Sequence, residues 1–220
     1  MVRDGILYAL GFSVAGVVAS WLVGPWAAVP LLLLAAFCAW FFRDPDRLTP
    51  AGPIAVSPAD GKVMSVVNED GRRRISIFLN VFDVHVNRSP VSGIIVEAEY
   101  RRGKFLVASR EQASMENEQT IVTVRMKDGT VVVFKQIAGL IARRLVFDKK
   151  AGDFIQAGDR IGLMKFGSRM DVILGPEWCI DISPGMRVVG GVSILAHRAG
   201  EIVIPVASAA ALKEPAFCQT

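Results

Sequence analysis

The chain has 220 residues, 52% of them hydrophobic, with a net charge of +4 and a pI near 9.1. That length supports one domain with a core of its own and something beside it. Cys38, Cys179 and Cys218 are odd in number and widely spaced, so they suggest neither a disulfide framework nor a metal-ligand set, and a reducing compartment fits them.

The mean hydropathy of +0.41 has a local source: no charged residue occurs from Gly5 to Phe42. One bilayer-crossing helix takes about 20 apolar residues, so the run is long enough for two short crossings or a re-entrant hairpin. Gly24-Pro25 interrupts it, because proline cannot continue a helix and restricts the residue before it. The pattern predicts helices over 6–23 and 26–42, with Tyr8, Trp21, Trp26 and Trp40 toward their ends, where aromatic rings favour the membrane interface. A cleaved signal peptide is the alternative, but its apolar region normally covers about 7–15 residues. Arg3 precedes the run and Arg43 and Arg47 follow it, which predicts both ends, and the domain after them, on the cytoplasmic face of the cell membrane.

Residues 1–47 are therefore an anchoring hairpin with a polar linker, and 48–220 a second domain. From Pro53 onward the chain reads as short strands. Residues 75–79 and 121–125 are rich in β-branched and apolar types. Asp70-Gly71 predicts a hairpin between 63–67 and 74–79, and Lys127-Asp128-Gly129-Thr130 one between 121–125 and 131–134. Residues 115–119 read as a polar loop. Three segments, Ser57-Pro-Ala-Asp-Gly-Lys-Val63, Ile155-Gln-Ala-Gly-Asp-Arg-Ile161 and Ile182-Ser-Pro-Gly-Met-Arg-Val188, each set a glycine turn before a basic and a β-branched residue. The fold class is mainly β, a compact barrel-sandwich hybrid-like domain behind an N-terminal membrane helical hairpin.

Basic clusters at Arg72-Arg73-Arg74, Arg101-Arg102-Lys104, Arg143-Arg144 and Lys149-Lys150 read individually as solvated faces. With an anchor present, attraction to anionic membrane lipid is the better collective reading than nucleic acid.

The segment Phe166-Gly-Ser-Arg-Met-Asp-Val-Ile-Leu174 carries the chemistry of interest. A serine after glycine is little crowded, and its hydroxyl can attack the preceding carbonyl if a base takes the proton. The resulting ester leaves by β-elimination, and hydrolysis gives a pyruvoyl group that forms a Schiff base with an amine and acts as an electron sink. A Gly-Ser pair alone is usually a turn.

This segment resembles the processing motif of short-form bacterial phosphatidylserine decarboxylases. So do Phe42-Phe-Arg-Asp-Pro45, Ser57-Pro-Ala-Asp-Gly-Lys-Val63, Phe78-Leu-Asn-Val-Phe-Asp-Val-His-Val-Asn-Arg88 with Ser89-Pro90, Glu116-Asn-Glu118 and Gln136-Ile-Ala-Gly-Leu-Ile-Ala-Arg-Arg144, all in the family order. The resemblance covers about Phe42 to Ala196. It implies an enzyme that converts phosphatidylserine to phosphatidylethanolamine, with a covalent pyruvoyl group from Ser168 as cofactor. It also implies cleavage at Gly167-Ser168 into chains 1–167 and 168–220 that stay associated, and leaves homo-oligomerisation open.

By the same resemblance Ser168 is the nucleophile, and His85 and Asp60 are catalytic or self-processing residues. The residues alone leave Asp60 as an Asp-Gly turn and His85 as a hydrogen-bonded strand histidine. Arg169 and Asp171 are candidates for the lipid headgroup or for an internal ion pair; Asn117 for the substrate or a loop; Gln136, Arg143 and Arg144 for the lipid phosphate or a solvated strand. The apolar surroundings of Phe82 and Phe166 are candidates for the dry site of the substrate carboxylate. Long-form members carry a second histidine three residues after the first, where this chain has Arg88. Ile173 stands where members often have tyrosine, and Gly175 separates Leu174 from Pro176. His197 reads as a surface residue. No metal site is expected. Three other readings stand beside this one: a tethered carrier or adaptor modified on Lys165, an inactive homologue, and a hydrolase, which the Phe-Gly-Ser-Arg-Met context fits poorly.

Overall fold

A computed structural model describes residues 2–140, 145–165 and 168–199. Gly167, Phe166, Arg143, Arg144 and residues 200–220 lie outside the described residues. The apolar run forms α1 (Arg3–Leu22), a short 3-10 turn (Pro25–Ala27) and α2 (Ala28–Phe41). Gly24 takes φ 129°, a conformation that favours glycine, so the break falls there as expected. The second helix starts later than predicted because Pro25–Ala27 tightens into the 3-10 turn. Pro30 sits in the first turn of α2, where a missing N–H costs nothing.

Among the described residues, α1 alone is long and apolar enough to cross a bilayer, and α2 is shorter. The helices meet at ordinary packing distance around Gly16, where an added Cβ would sit 3.5 Å from the Leu31 side chain. Most of the outward hairpin surface is apolar and uncovered, including Leu10, Val17, Trp21, Trp26 and Leu33, which suits lipid rather than water.

The strands are β1 (Ile54–Val56), β2 (Gly61–Glu69), β3 (Arg72–Leu79), β4 (Val86–Arg88), β5 (Gly93–Arg101), β6 (Gln119–Arg125) and β7 (Val131–Ile137). They continue with β8 (Leu145–Phe147), β9 (Phe154–Ile155), β10 (Arg160–Met164), β11 (Ser168–Leu174), β12 (Trp178–Ile180), β13 (Arg187–Val188) and β14 (Ile194–Arg198). Eight of them form one sheet in the order β13-β2-β3-β11-β7-β6-β5-β9; β4-β10-β8 and β1-β14-β12 form two smaller sheets. The curled large sheet fits the expected barrel-sandwich-like domain. Its core gathers Ile75, Ile77, Val122, Phe134, Met170, Val172 and Trp178.

Both predicted hairpins are present. Asp70 and Gly71 both have positive φ, which matches the right-handed twist of β2 and β3. All three repeated glycine turns open a strand, β2, β10 or β13, and β13 pairs with β2 through Arg187 and Lys62. The expected loop at 115–119 differs: α3 (Ala113–Glu116) is a single helical turn and Gln119 already belongs to β6. One turn is too short to leave a helical period in sequence. Cys38 is free whereas Cys179 is disulfide-bonded, a bond that the wide spacing of the cysteines did not suggest.

The linker is strapped to the domain. Asp44 pairs with Arg88 (3.1 Å) and Arg160 (2.5 Å), Asp46 with Arg160 (2.9 Å) and Arg47 with Asp60. Above it, Phe41 and Phe42 are buried with Val84, Val86 and Leu163, so the base of the hairpin packs into the β domain.

Candidate active site

Ser168 opens β11, a strand hydrogen-bonded on both edges, to β3 and to β7. Side chains alternate along a strand. Ser168 therefore points with Met170, Val172 and Leu174 toward the core, and all four are buried. Its Oγ has no hydrogen-bond partner.

His85 lies immediately before β4. The Met164 N–H donates to its carbonyl (3.1 Å), which ties it to the end of β10. Only three residues lie between Met164 and Ser168, a span of at most about 14 Å of extended chain. His85 and Ser168 thus occupy the same end of the domain. The His85 ring is buried, and Nδ1 lies 2.9 Å from the Asp83 carbonyl. A carbonyl only accepts, so Nδ1 carries the proton and Nε2 holds a bare lone pair. Nε2 has no partner. Burial pushes the imidazole pKa below its ordinary value, against the opposing pull of the Asp83 carbonyl and the charges of Asp83 and Asp60. A neutral imidazole with a free Nε2 is a proton acceptor at neutral pH.

Gln136 faces Met170 across β7 and β11, on the Ser168 side. Its Nε2 donates to Asn87 Oδ1 (2.8 Å) and to the Val146 carbonyl (3.2 Å). The carbonyl fixes the orientation of the amide, and that leaves Gln136 Oε1 and Asn87 Nδ2 unpartnered. Burying a polar group unpaired costs about 1–3 kcal/mol. Four such atoms, on Ser168, His85, Asn87 and Gln136, mark a place built for something other than stability. Gln119 Oε1 and Trp178 Nε1 are the other two unpartnered buried side-chain atoms among the described residues. Sequence reading missed Asn87, although it stands two residues after His85, a spacing that shares a strand face.

The other candidates lie differently. Arg169 and Asp171 point to the opposite face of the sheet. Arg169 Nε donates to Asp171 Oδ1 (2.6 Å) and Nη2 to Ser76 Oγ (2.7 Å), while Ser114 Oγ donates to Asp171 Oδ2 (2.5 Å). Arg74 lies 3.5 Å from Asp171 and also pairs with Glu69 and Glu111. Of the two expectations for Arg169 and Asp171, the internal ion pair is the one the geometry contains. Arg74 is buried there, so the cluster 72–74 is not wholly a solvated face. Burial lowers the pKa of Lys135, opposite Asp171 on β7.

Asp60 is held by Arg47 (2.5 and 2.9 Å) and by the Gly190 N–H (2.8 Å), and its charge reaches His85. Asn117 spends its side chain on the backbone of Leu106 and Ala138, closing the loop ahead of β6. Arg88 holds the Gly158 carbonyl and Asp44. Phe82 is 72% exposed at a turn, with its ring edge-on to that of Trp40 near the end of α2, centroids 6.1 Å apart. His197 pairs with Asp181 near the surface. Lys165, the conceivable carrier lysine, is bound to Asp4 (2.7 Å) with its side chain 11% exposed, unlike an acceptor presented on a hairpin tip. No cluster of potential metal ligands occurs among the described residues.

A family model described as phosphatidylserine decarboxylase matches residues 34–196. A protein named phosphatidylserine decarboxylase proenzyme from Solibacter usitatus is 62% identical over 198 residues, covering 90% of this chain and 97% of the relative. Proteins of the same name from Paramagnetospirillum magneticum and Solidesulfovibrio magneticus are 44% and 42% identical, covering 89% and 90% of this chain and 87% and 96% of the relatives.

Proposed function

The chain belongs to the phosphatidylserine decarboxylase family, and we propose that it cuts itself at Gly167-Ser168 and uses the resulting pyruvoyl group to convert phosphatidylserine to phosphatidylethanolamine. It is a carboxy-lyase made as a proenzyme. The observation that carries the self-cleavage reading is the pairing, at one end of the domain, of a buried unpartnered Ser168 hydroxyl with a buried unpartnered His85 Nε2.

In this reading His85 Nε2 takes the hydroxyl proton as Ser168 Oγ attacks the Gly167 carbonyl. A C–O bond forms, the C–N bond breaks, and the proton passes to the departing nitrogen. Loss of the Ser168 Cα proton then expels the Gly167 carboxylate and leaves dehydroalanine, whose hydrolysis releases ammonia and gives the pyruvoyl end. Residues 168–220 stay associated because β11 is hydrogen-bonded to β3 and β7 on both edges, whatever happens to the bond before it.

The site fits a pyruvoyl group: Ser168 is dry, and its hydroxyl spends itself on no structural bond. Once formed, that carbonyl supplies the electron sink an amine substrate needs to lose carbon dioxide. The chain's own residues do the rest. Asn87 Nδ2 donates to an oxygen of the headgroup and Gln136 Oε1 accepts from its N–H. Arg143 and Arg144 take the phosphate, as guanidinium groups match its oxygens. Asp60 and Arg47 hold the linker, and the Asp60 charge bears on His85. Arg169 and Asp171 keep β11 in place from the far face, and Asn117 shapes the loop ahead of β6. The hairpin lies in the cell membrane with the β domain at the cytoplasmic face, where anionic lipid meets the basic surface.

The test is phosphatidylserine turnover in mixed micelles, with and without phenylhydrazine, a carbonyl reagent. The reading expects turnover that phenylhydrazine abolishes, with a matching mass gain on the fragment beginning at 168. Turnover retained by Ser168→Ala overturns it.

A further inference from the structure

We propose that the membrane hairpin is a working part of this active site, and that Phe41, the last residue of α2, is a positioning residue that sets the His85 ring for proton transfer. The inference rests on the reading of Ser168 and His85 given above and goes beyond it. It makes the anchor a component of the chemistry rather than a tether.

The ring of Phe41 lies on the ring of His85, with centroids 4.3 Å apart and planes at 32°. Phe41 is fully buried, and Phe42 packs edge-on against it at 5.0 Å. His85 has one hydrogen bond, from Nδ1 to the Asp83 carbonyl. A ring held at one atom can still swing about that bond. The aromatic face removes this freedom and fixes where the Nε2 lone pair points, and small misplacements of a catalytic group are costly in rate.

A second contact reaches the same end of the domain from the other helix. Lys165, three residues before Ser168, donates to Asp4 of α1 (2.7 Å), with its ammonium 5.4 Å from the centre of Tyr8 and 5.8 Å from that of Phe42. The hairpin base itself is tightly fitted. The Val2 N–H donates to the Phe42 carbonyl (3.0 Å), and a Cβ added at Gly5 would fall 2.2 Å from the Phe42 Cβ. The two helices thus hold the base residue on one side and Lys165, just past β10 and three residues before Ser168, on the other.

The bland alternative is that Phe41 merely fills its cluster with Val84, Val86 and Leu163. Three full-length variants separate the two. Phe41→Leu keeps apolar bulk but loses the ring face, Phe41→Tyr keeps the face, and Leu33→Ala alters an outward residue of α2 away from the site. Each is made by cell-free synthesis into nanodiscs. The rate of cleavage of the folded protein is followed by intact mass as a function of pH. The charged groups around the ring are Asp83 on its own turn, Asp60 ahead of β2 and Arg43 just past α2. None is changed by these variants, so a moved acid limb reports the surroundings of the ring.

Phe41→Leu is expected to slow cleavage about tenfold, a part of the 10²–10⁴ a general base supplies. Its acid limb moves up toward pH 6.5 as the imidazole regains water. Leu33→Ala keeps the wild-type rate and limb, and Phe41→Tyr, which retains the ring face, keeps the wild-type limb. The proposal is overturned if Phe41→Leu matches wild type, or if it loses activity with the limb unmoved. It is equally overturned if Leu33→Ala shows the same defect, or if Phe41→Tyr moves the limb as Phe41→Leu does. Failure of the wild type to cleave at all would instead refute the underlying reading of Ser168.

Discussion

The two faces of β11 are built on opposite terms. Outward, Arg169 and Asp171 are 1% and 0% exposed, yet every charge has partners: each other, Ser76, Ser114, Arg74 and Glu111. Inward, one residue away, Ser168 is just as buried and its hydroxyl has none; His85, Asn87 and Gln136 share that state. Burial alone therefore does not separate scaffold from chemistry. Satisfaction together with grouping does: a saturated polar cluster fixes structure, while several orphaned atoms gathered at the end of the domain that holds a neutral imidazole await a reactant.

The contrast is broken most severely at His85. His85→Ala removes the only imidazole at this site, and cleavage is expected to slow by about 10²–10⁴, read as persistence of the uncleaved chain on denaturing gels. Asp171→Ala should act the other way. It leaves the Arg169 charge buried beside one partner fewer, which costs about 3–5 kcal/mol. Denaturant unfolding in detergent, in a Ser168→Ala background that stays uncleaved, measures it. Ser168→Ala itself should unfold no more easily than wild type, since it deletes a hydroxyl that bonds to nothing.

The pH dependence sharpens the same point. The neutral His85 is the base, and its folded pKa is lowered. Self-cleavage should hold at neutral pH and fall with acid at a midpoint below 6.5, the free value. For stability the sign agrees: the unfolded chain binds the extra proton first, so the contribution is full above about 6.5 and is lost as pH falls through the folded pKa. Smallest is Ser114→Ala, which removes one hydrogen bond to a charged carboxylate and should cost about 1.5–3 kcal/mol in the same unfolding measurement.

What could be read in sequence was what local chemistry dictates. Asp70-Gly71 and Gly129 mark turns because positive φ is a demand on single residues. The hairpin was legible because a long run without charge is a composition, and the break at Gly24-Pro25 needs no tertiary context. The pairing of β11 between β3 and β7 was not legible, since nothing near Ser168 encodes neighbours about 90 and 35 residues away in the chain. That hid the fate of Arg169 and Asp171: a charged pair two residues apart reads the same at a lipid headgroup or under a loop. Phe41 was hidden for a different reason, its apparent membership of the lipid-facing run.

The central claim is that Ser168 is spent in making the active group. Intact mass measurement on the full-length protein under denaturing conditions, beside Ser168→Ala, tests it most directly. The account predicts two wild-type chains, one ending at Gly167 and one beginning with a blocked pyruvoyl residue, and a single whole chain for the variant. A folded wild type that remains one unmodified chain would contradict it.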